Sequence, residues 1–278
     1  MPEAAHAATA AHRGSGGSAG RRCAPRGPRA PSRSRGRAAL AAAAARSTPF
    51  TRAPRSRELG LRRIVRQRRS AVDFDGKTEL AFDDFARLLH ATSHGPVAGL
   101  PWRPNVHLAL FVHRVRGLAP GLYLHARDAD ERPLLQAACE KPFAWERVEM
   151  GAAGPELWRL AAGDQRATAR ALSCHQEIAA DSAFSLGMLA RFEPTLQEHG
   201  AWFYPRLFWE CGAIGQSLYL EAEAAGVRAT GIGCFFDEPV HAALGLASTR
   251  YRSLYHFTVG GPVEDGRLQT WPAYPARA

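Results

Sequence analysis

Three stretches of this chain carry groups able to do chemistry. Ser173-Cys174-His175-Gln176 sets a thiol beside an imidazole, the pair a thiolate nucleophile needs. Adjacent side chains on a helix or strand point apart, so adjacency alone makes no dyad, and a buried structural cysteine is the competing reading. His90 and His94 lie at i, i+4, a spacing that holds zinc on a helix. No third ligand accompanies them and Gly95-Pro96 ends the helix there, so no metal site is expected. Ala229-Thr230-Gly231-Ile232-Gly233-Cys234-Phe235-Phe236 is the third stretch. Its glycines leave backbone N–H and C=O groups open to a flat ligand, or simply form a tight turn. It is not a dinucleotide fingerprint, because Phe236 holds the third glycine position and no helix starts there.

The element leading into that stretch is a helix over residues 205–225. Leu207, Cys211, Ile214, Leu218 and Ala222 recur at three- and four-residue steps and share one face. Phe208, Trp209, Tyr219 and Leu220 widen the apolar surface, which predicts a buried helix. Gly212, Ala213, Gly215 and Ser217 are small enough for another backbone or a planar ligand to come close. Gly226 stops the helix by accepting a left-handed conformation. Asp237 is expected to cap the next, short helix, with Pro239 in its first turn.

Glu210-x-Gly-x-Ile-Gly-Gln-x-Leu-Tyr-Leu-x-Ala, then Gly231-Ile-Gly-x-Phe-x-Asp and His241-x-x-Leu-Gly-Leu246, resembles the flavin-dependent nitroreductase superfamily. His113-Arg-Val-x-Gly-Leu-x-Pro-Gly-Leu-Tyr123 resembles its SagB-type branch, which includes thiazoline and oxazoline dehydrogenases. Arg68-Arg69-Ser70-Ala71-Val72-Asp73-Phe74 is similar to the superfamily's opening motif. The resemblance implies an α+β three-layer fold, a mostly antiparallel sheet between helices, and a homodimer with FMN at its interface. It implies that Arg68, Arg69 and Ser70 hold the flavin phosphate, with Arg267 as a second contact. An arginine fork and a serine hydroxyl suit that task. Val97, Ala98 and Gly99 would line one ring edge, and Gly231, Ile232 and Gly233 would offer backbone to the ring. Hydride would enter and leave at flavin N5, supplied by NAD(P)H and passed to or from a small molecule or peptide azoline. Val72 and Val97 stand where the family has a basic residue and a serine. Lys77 and Lys141 are the only lysines, and no general base is assigned. The alternative is a flavin-fold module that has lost catalysis and acts as a scaffold or partner module, or as the surviving half of a longer tandem protein.

Other elements fall into place around these. A first helix runs into Arg66, and a second begins near Ala81 with Phe82, Phe85, Leu88 and Leu89 on its core face. Residues 106–115 and 122–124 read as strands, residues 127–170 as helices and loops of a cap, and residues 183–192 as a central strand. In the strand 251–260, alternation puts Leu254, His256 and Thr258 on one face and Tyr255, Phe257 and Val259 on the other.

The 278 residues carry a net charge of +10, unevenly spread. Residues 1–57 hold twelve arginines and one acid, Glu3, while the rest holds 24 basic and 25 acidic residues. The domain from 58 to 278 is therefore near neutral and offers no nucleic-acid surface. The leader 1–57 reads as a disordered tail, an organelle transit peptide, or a remnant of a longer protein. Five cysteines, Cys23, Cys139, Cys174, Cys211 and Cys234, form no C-x-x-C pair, which predicts reduced thiols and a cytoplasmic setting, or an organelle if the leader is a transit peptide. No apolar run reaches the ~18 residues of a membrane span.

Overall fold

The computed structural model describes residues 60–93, 100–151 and 154–272. In chain order its elements are α1 (Leu61–Gln67), α2 (Phe82–Ser93), β1 (Val106–Val112), β2 (Gly121–His125) and α3 (Arg132–Ala138). Then come β3 (Glu146–Val148), β4 (Leu157–Ala162), α4 (Arg166–Leu172), α5 (Glu177–Asp181) and β5 (Phe184–Arg191). The chain continues through α6 (Phe192–His199), α7 (Tyr204–Ala224), β6 (Arg228–Ile232), α8 (Asp237–Leu244) and β7 (Tyr251–Gly260).

The seven strands form one sheet in the order β3-β4-β2-β1-β5-β7-β6, every neighbouring pair antiparallel. β1 and β5 pair from Val106↔Ala190 to Val112↔Phe184 at its centre. Neither alternates in polarity, because helices cover both faces. On one side Leu88 and Leu89 of α2 and Leu207, Ile214 and Leu218 of α7 pack onto Leu108, Leu110 and Leu186. On the other, Leu135, Leu172, Ala179, Val240 and Leu244 from α3, α4, α5 and α8 pack onto Phe111, Leu122 and Leu189. This is the expected α+β three-layer architecture.

One buried ion pair ties four elements together. Glu210 on α7 accepts the N–H groups of Asn105 and Val106 at 3.1 Å each. It also takes the Trp102 indole N–H at 3.3 Å and the Arg127 guanidinium. Arg127, which follows β2, donates besides to the carbonyls of Thr92 and of Val106. The glutamate that opens the recognised helix motif is therefore a structural anchor for the start of β1.

Several expectations are corrected. Residues 127–170 are no cap: β3 and β4 extend the sheet beyond β2, with Arg147 opposite Trp158. Their polar outer faces thin the apolar pattern. In β7, a register shift between Met188 and Leu189 of the partner strand breaks the alternation. Leu254 consequently joins Phe257 and Val259 in the α7-facing core. Phe236, not Asp237, is the N-cap of α8, and Asp237 lies in the first turn where its charge complements the dipole. α7 buries one face only, leaving Phe208 and Trp209 exposed. Gly215 accommodates the Phe257 ring rather than a second backbone, since a Cβ there would stand 3.1 Å from Phe257 Cε2. Gly226, at φ +78°, follows the helix end as expected.

The cysteine reading also changes. Cys174 and Cys234 form a disulfide, Cα atoms 5.8 Å apart across 60 residues of sequence. Spacing could not show it, because the fold brings together the turn after α4 and the segment after β6. Cys139 and Cys211 are free thiols, and burial pushes the Cys139 thiol up to about 11. Among the described residues no helix is long and apolar enough to cross a membrane, and no group of potential ligands could hold a metal.

Candidate cofactor site

β6 is the last strand of the sheet, and its outer edge is where the two recognised motifs meet. The chain leaves α1 at Arg68 in an extended conformation. Ser70 then bridges Ala229 in parallel, and the Ala71 N–H donates to the Ala229 carbonyl at 3.0 Å. Gln67 Nε2 donates to Glu223 Oε1 at 2.8 Å, fastening α1 to α7.

Tyr219 organises this corner. Its Oη lies 2.9 Å from Ser70 Oγ and accepts the Gly231 N–H at 3.1 Å. The Arg68 guanidinium sits 4.5 Å above the centre of its ring, a cation–π contact. Phe257 meets the same ring edge-on at 4.9 Å. Tyr255 closes the other side of Gly231, where a Cβ would stand 2.3 Å from its Oη. Only glycine allows the phenol to lie against the strand there. Burial, then the neighbouring Tyr219, raises the Tyr255 pKa above the ordinary phenol value.

The expected site residues separate in space. Arg68, Ser70 and Gly231 converge on Tyr219. Arg69 turns its guanidinium onto backbone carbonyls: Arg66 at 3.0 Å, Arg68 at 2.9 Å and Trp271 at 3.1 Å. Ile232 is buried in the α8-facing core, and Gly233 is exposed beyond the strand. Arg267 is exposed and paired with Asp265 at 2.7 Å. Val72 is exposed. Val97, Ala98 and Gly99, with His94, lie outside the described residues. Sequence reasoning treated Tyr219 as apolar surface and Tyr255 as a strand residue. The signal for Tyr219 was its place in the recognised helix motif, one turn after Gly215.

Past Ile232, Phe235 stacks on His256, ring centres 4.4 Å apart and nearly parallel. His256 Nδ1 lies 3.4 Å from Ser173 Oγ, and burial lowers its pKa to about 4. The subfamily-like segment His113–Tyr123 lies elsewhere. With Gly163, Asp164 and Arg166 it borders a cavity of about 490 Å³. The cations there are already engaged: Arg166 with Asp164 at 2.6 Å, and Arg114 with the carbonyls of Ala180 and Ser182 at 3.1 and 2.7 Å.

The donor set at Tyr219 suits a planar cofactor that carries a phosphate. Arg68 and Ser70 supply a charged and a neutral donor. Gly231 beside them is flanked by the Tyr219 and Tyr255 phenols, which makes this end of the site aromatic.

With this geometry in view, the relationship is plain: the chain belongs to the Nitroreductase family, whose pattern matches residues 65–261, and members of that family are oxidoreductases. A protein of Anabaena variabilis described as a nitroreductase shares the fold at a TM-score of 0.56 and 24% identity, over 71% of this chain. This chain spans only 37% of the Anabaena protein's length. A Ralstonia eutropha protein described in the same way matches at 0.53 and 16%, over 78% of this chain and 89% of its own. The Escherichia coli microcin synthetase McbBCD complex, with truncated pro-MccB17 bound, contains a chain matching at 0.51 and 19%, over 72% and 71%. No curated protein matches the chain.

Proposed function

We propose that this chain is an FMN-dependent oxidoreductase of the SagB-type branch that works as a homodimer. The observation that carries the reading is the convergence of Arg68, Ser70 and Gly231 on Tyr219. Arg68 and Ser70 hold the cofactor phosphate, and Arg267 adds a second contact. Arg69 braces the chain after residue 267 through the Trp271 carbonyl. Tyr219 fixes the Ser70 hydroxyl and the Gly231 amide together, so phosphate end and ring end keep one spacing. The backbone of Gly231, Ile232 and Gly233 is proposed to flank the ring, and Val97, Ala98 and Gly99, outside the described residues, are proposed for its other edge. FMN, when bound, supplies hydride acceptance and release at ring N5. Tyr255, whose pKa burial raises, keeps its proton at Oη through the neutral pH range and lies against Gly231 beside Tyr219. Lys141, by contrast, donates to the Ala243 carbonyl at 3.1 Å at the end of α8. A second copy covers the exposed Phe208 and Trp209 face of α7. NAD(P)H is the proposed donor, and a small molecule or peptide azoline the substrate.

A catalytically silent scaffold is the second reading, favoured by the exposed Val72 and by the engagement of Arg69 and Arg267 with groups of their own chain. Anaerobic reduction separates the two. The full chain is saturated with FMN, freed of excess, and mixed with NADH or NADPH. Retained flavin absorbance that bleaches supports the oxidoreductase; a folded protein that retains no flavin supports the scaffold.

A further inference from the structure

The Cys174–Cys234 disulfide enters neither the fold's core nor the proposed chemistry, yet it holds the end of the glycine strand. After Ile232 the chain leaves the sheet, and Gly233 and Cys234 are exposed. The segment 233–236 is held down by one covalent tether, by the Phe235 stack on the buried His256, and by a few further contacts. The Phe236 N–H donates to the Leu172 carbonyl at 2.9 Å. Gln176 Nε2 donates to the Cys234 carbonyl at 3.3 Å. His175 meets the Phe236 ring edge-on at 5.8 Å. The anchoring turn is itself unfavourable, since Cys174 and His175 are consecutive non-glycine residues at φ 53° and 58°. Such residues stay left-handed only where their surroundings over-determine them. Here the disulfide and the Gln176 bonds to Ser173 and Cys234 do so.

We propose that Cys174–Cys234 is a thiol-exchange site: a dithiol attacks the sulfur of Cys234, an exposed residue, and so releases the segment that ends the glycine strand. The attacking thiolate forms a mixed disulfide with Cys234, and the Cys174 sulfur leaves as thiolate and takes a proton. The second thiol of the reagent then displaces Cys234. Two electrons and two protons pass from the dithiol, which ends as a disulfide, to the protein, which ends with two thiols. Access favours attack at Cys234, because Cys174 is half-buried. Once the bond is gone, Cys174 and His175 are free to leave the left-handed region, and the Phe236–Leu172 hydrogen bond loses its covalent support. Gly231 lies three residues before Cys234, so the exchange sets how firmly the ring end of the cofactor site is held. That last consequence rests on the FMN reading; the exchange itself does not.

The test uses the full chain in native buffer with dithiothreitol as the dithiol. Differential maleimide labelling and peptide mapping follow Cys174 and Cys234, while hydrogen exchange follows the amide of Phe236, with residues 184–191 as the fold control. The proposal expects both cysteines to be blocked before dithiothreitol and labelled after it without denaturant. It expects Phe236 exchange at least tenfold faster after reduction, with the control unchanged. The Cys174→Ser/Cys234→Ser variant should exchange at the fast rate and ignore dithiothreitol. Labelling without reductant, reduction only in denaturant, or unchanged Phe236 exchange would each overturn it. FMN binding is measured on both redox forms: weaker binding after reduction supports the link to the site, and equal binding removes it. No binding by either form defeats the cofactor reading and leaves the exchange result standing.

Discussion

Ser70 Oγ and Tyr219 Oη stand 2.9 Å apart across 149 residues of sequence. Through that contact the exit of α1 meets the last third of α7, and because Tyr219 also receives the Gly231 N–H, the edge strand joins them. The Ser70 hydroxyl and the Gly231 amide, proposed to serve the two ends of the cofactor, are thereby held by one phenol. Neither can shift without breaking a bond to the other's partner.

Tyr219→Phe isolates this link. The ring under Arg68 is kept and two hydrogen bonds are lost, each worth about 1 kcal/mol. FMN affinity should fall roughly 5- to 30-fold with the fold intact. Flavin fluorescence titration reads the change, and an unaltered dissociation constant would contradict the role given to Tyr219.

Gly231→Ala should drive the new methyl into the Tyr255 phenol, 2.3 Å away. In a double-mutant cycle with Tyr255→Ala, thermal or urea unfolding should show a coupling of about 1–3 kcal/mol. Additive effects would mean that the two residues do not press on each other.

Arg127→Met would leave Glu210 charged and buried with only backbone and indole donors. Removing one member of such a pair costs about 3–5 kcal/mol. The urea midpoint should drop sharply, and Glu210→Gln should behave similarly by stranding Arg127. A loss under 1 kcal/mol in both variants (order of magnitude from the same principle) would refute the anchor role.

Five buried histidines set the acid limit: His107, His113, His125, His241 and His256 are all held below the ordinary value by burial. Burial lowers His107 to about 3, and His113, His125 and His256 to about 4, from an ordinary 6.5. Between those values and 6.5 the unfolded chain binds protons that the folded chain refuses. Their contribution to stability is therefore complete above pH 6.5 and is lost as pH falls towards 4 and, for His107, 3. Each histidine adds up to about 1.4 kcal/mol per pH unit in that window. Urea unfolding at pH 7 and pH 5 should show the lower midpoint at pH 5; a higher one would reverse the sign argued here.

Much of the fold was legible because its pieces are strongly patterned. β1 and β5 are largely apolar runs, β7 is rich in β-formers, and α7 repeats its core positions over about four turns. What stayed hidden depends on partners far away in sequence. Leu254 changes face because of an irregularity opposite Met188, β3 and β4 are too short and too polar outside to declare themselves, and Cys174 meets Cys234 only after the sheet is built. Arg68, Ser70 and Gly231, singled out by motif resemblance, meet around Tyr219. The Tyr219 side chain looked apolar, since nothing in its helical spacing says that its hydroxyl reaches two other elements.

The central claim is that a phosphate-bearing flavin sits on the rim formed by Arg68, Ser70 and Tyr219. Fluorescence titration of the full chain with FMN, run in parallel on wild type and Arg68→Ala at low and high salt, tests it most directly. The account predicts saturable binding that weakens at least tenfold in Arg68→Ala and depends less on salt in that variant, because a cation–phosphate contact has gone. No binding by the wild type, or equal binding by both proteins, would contradict it.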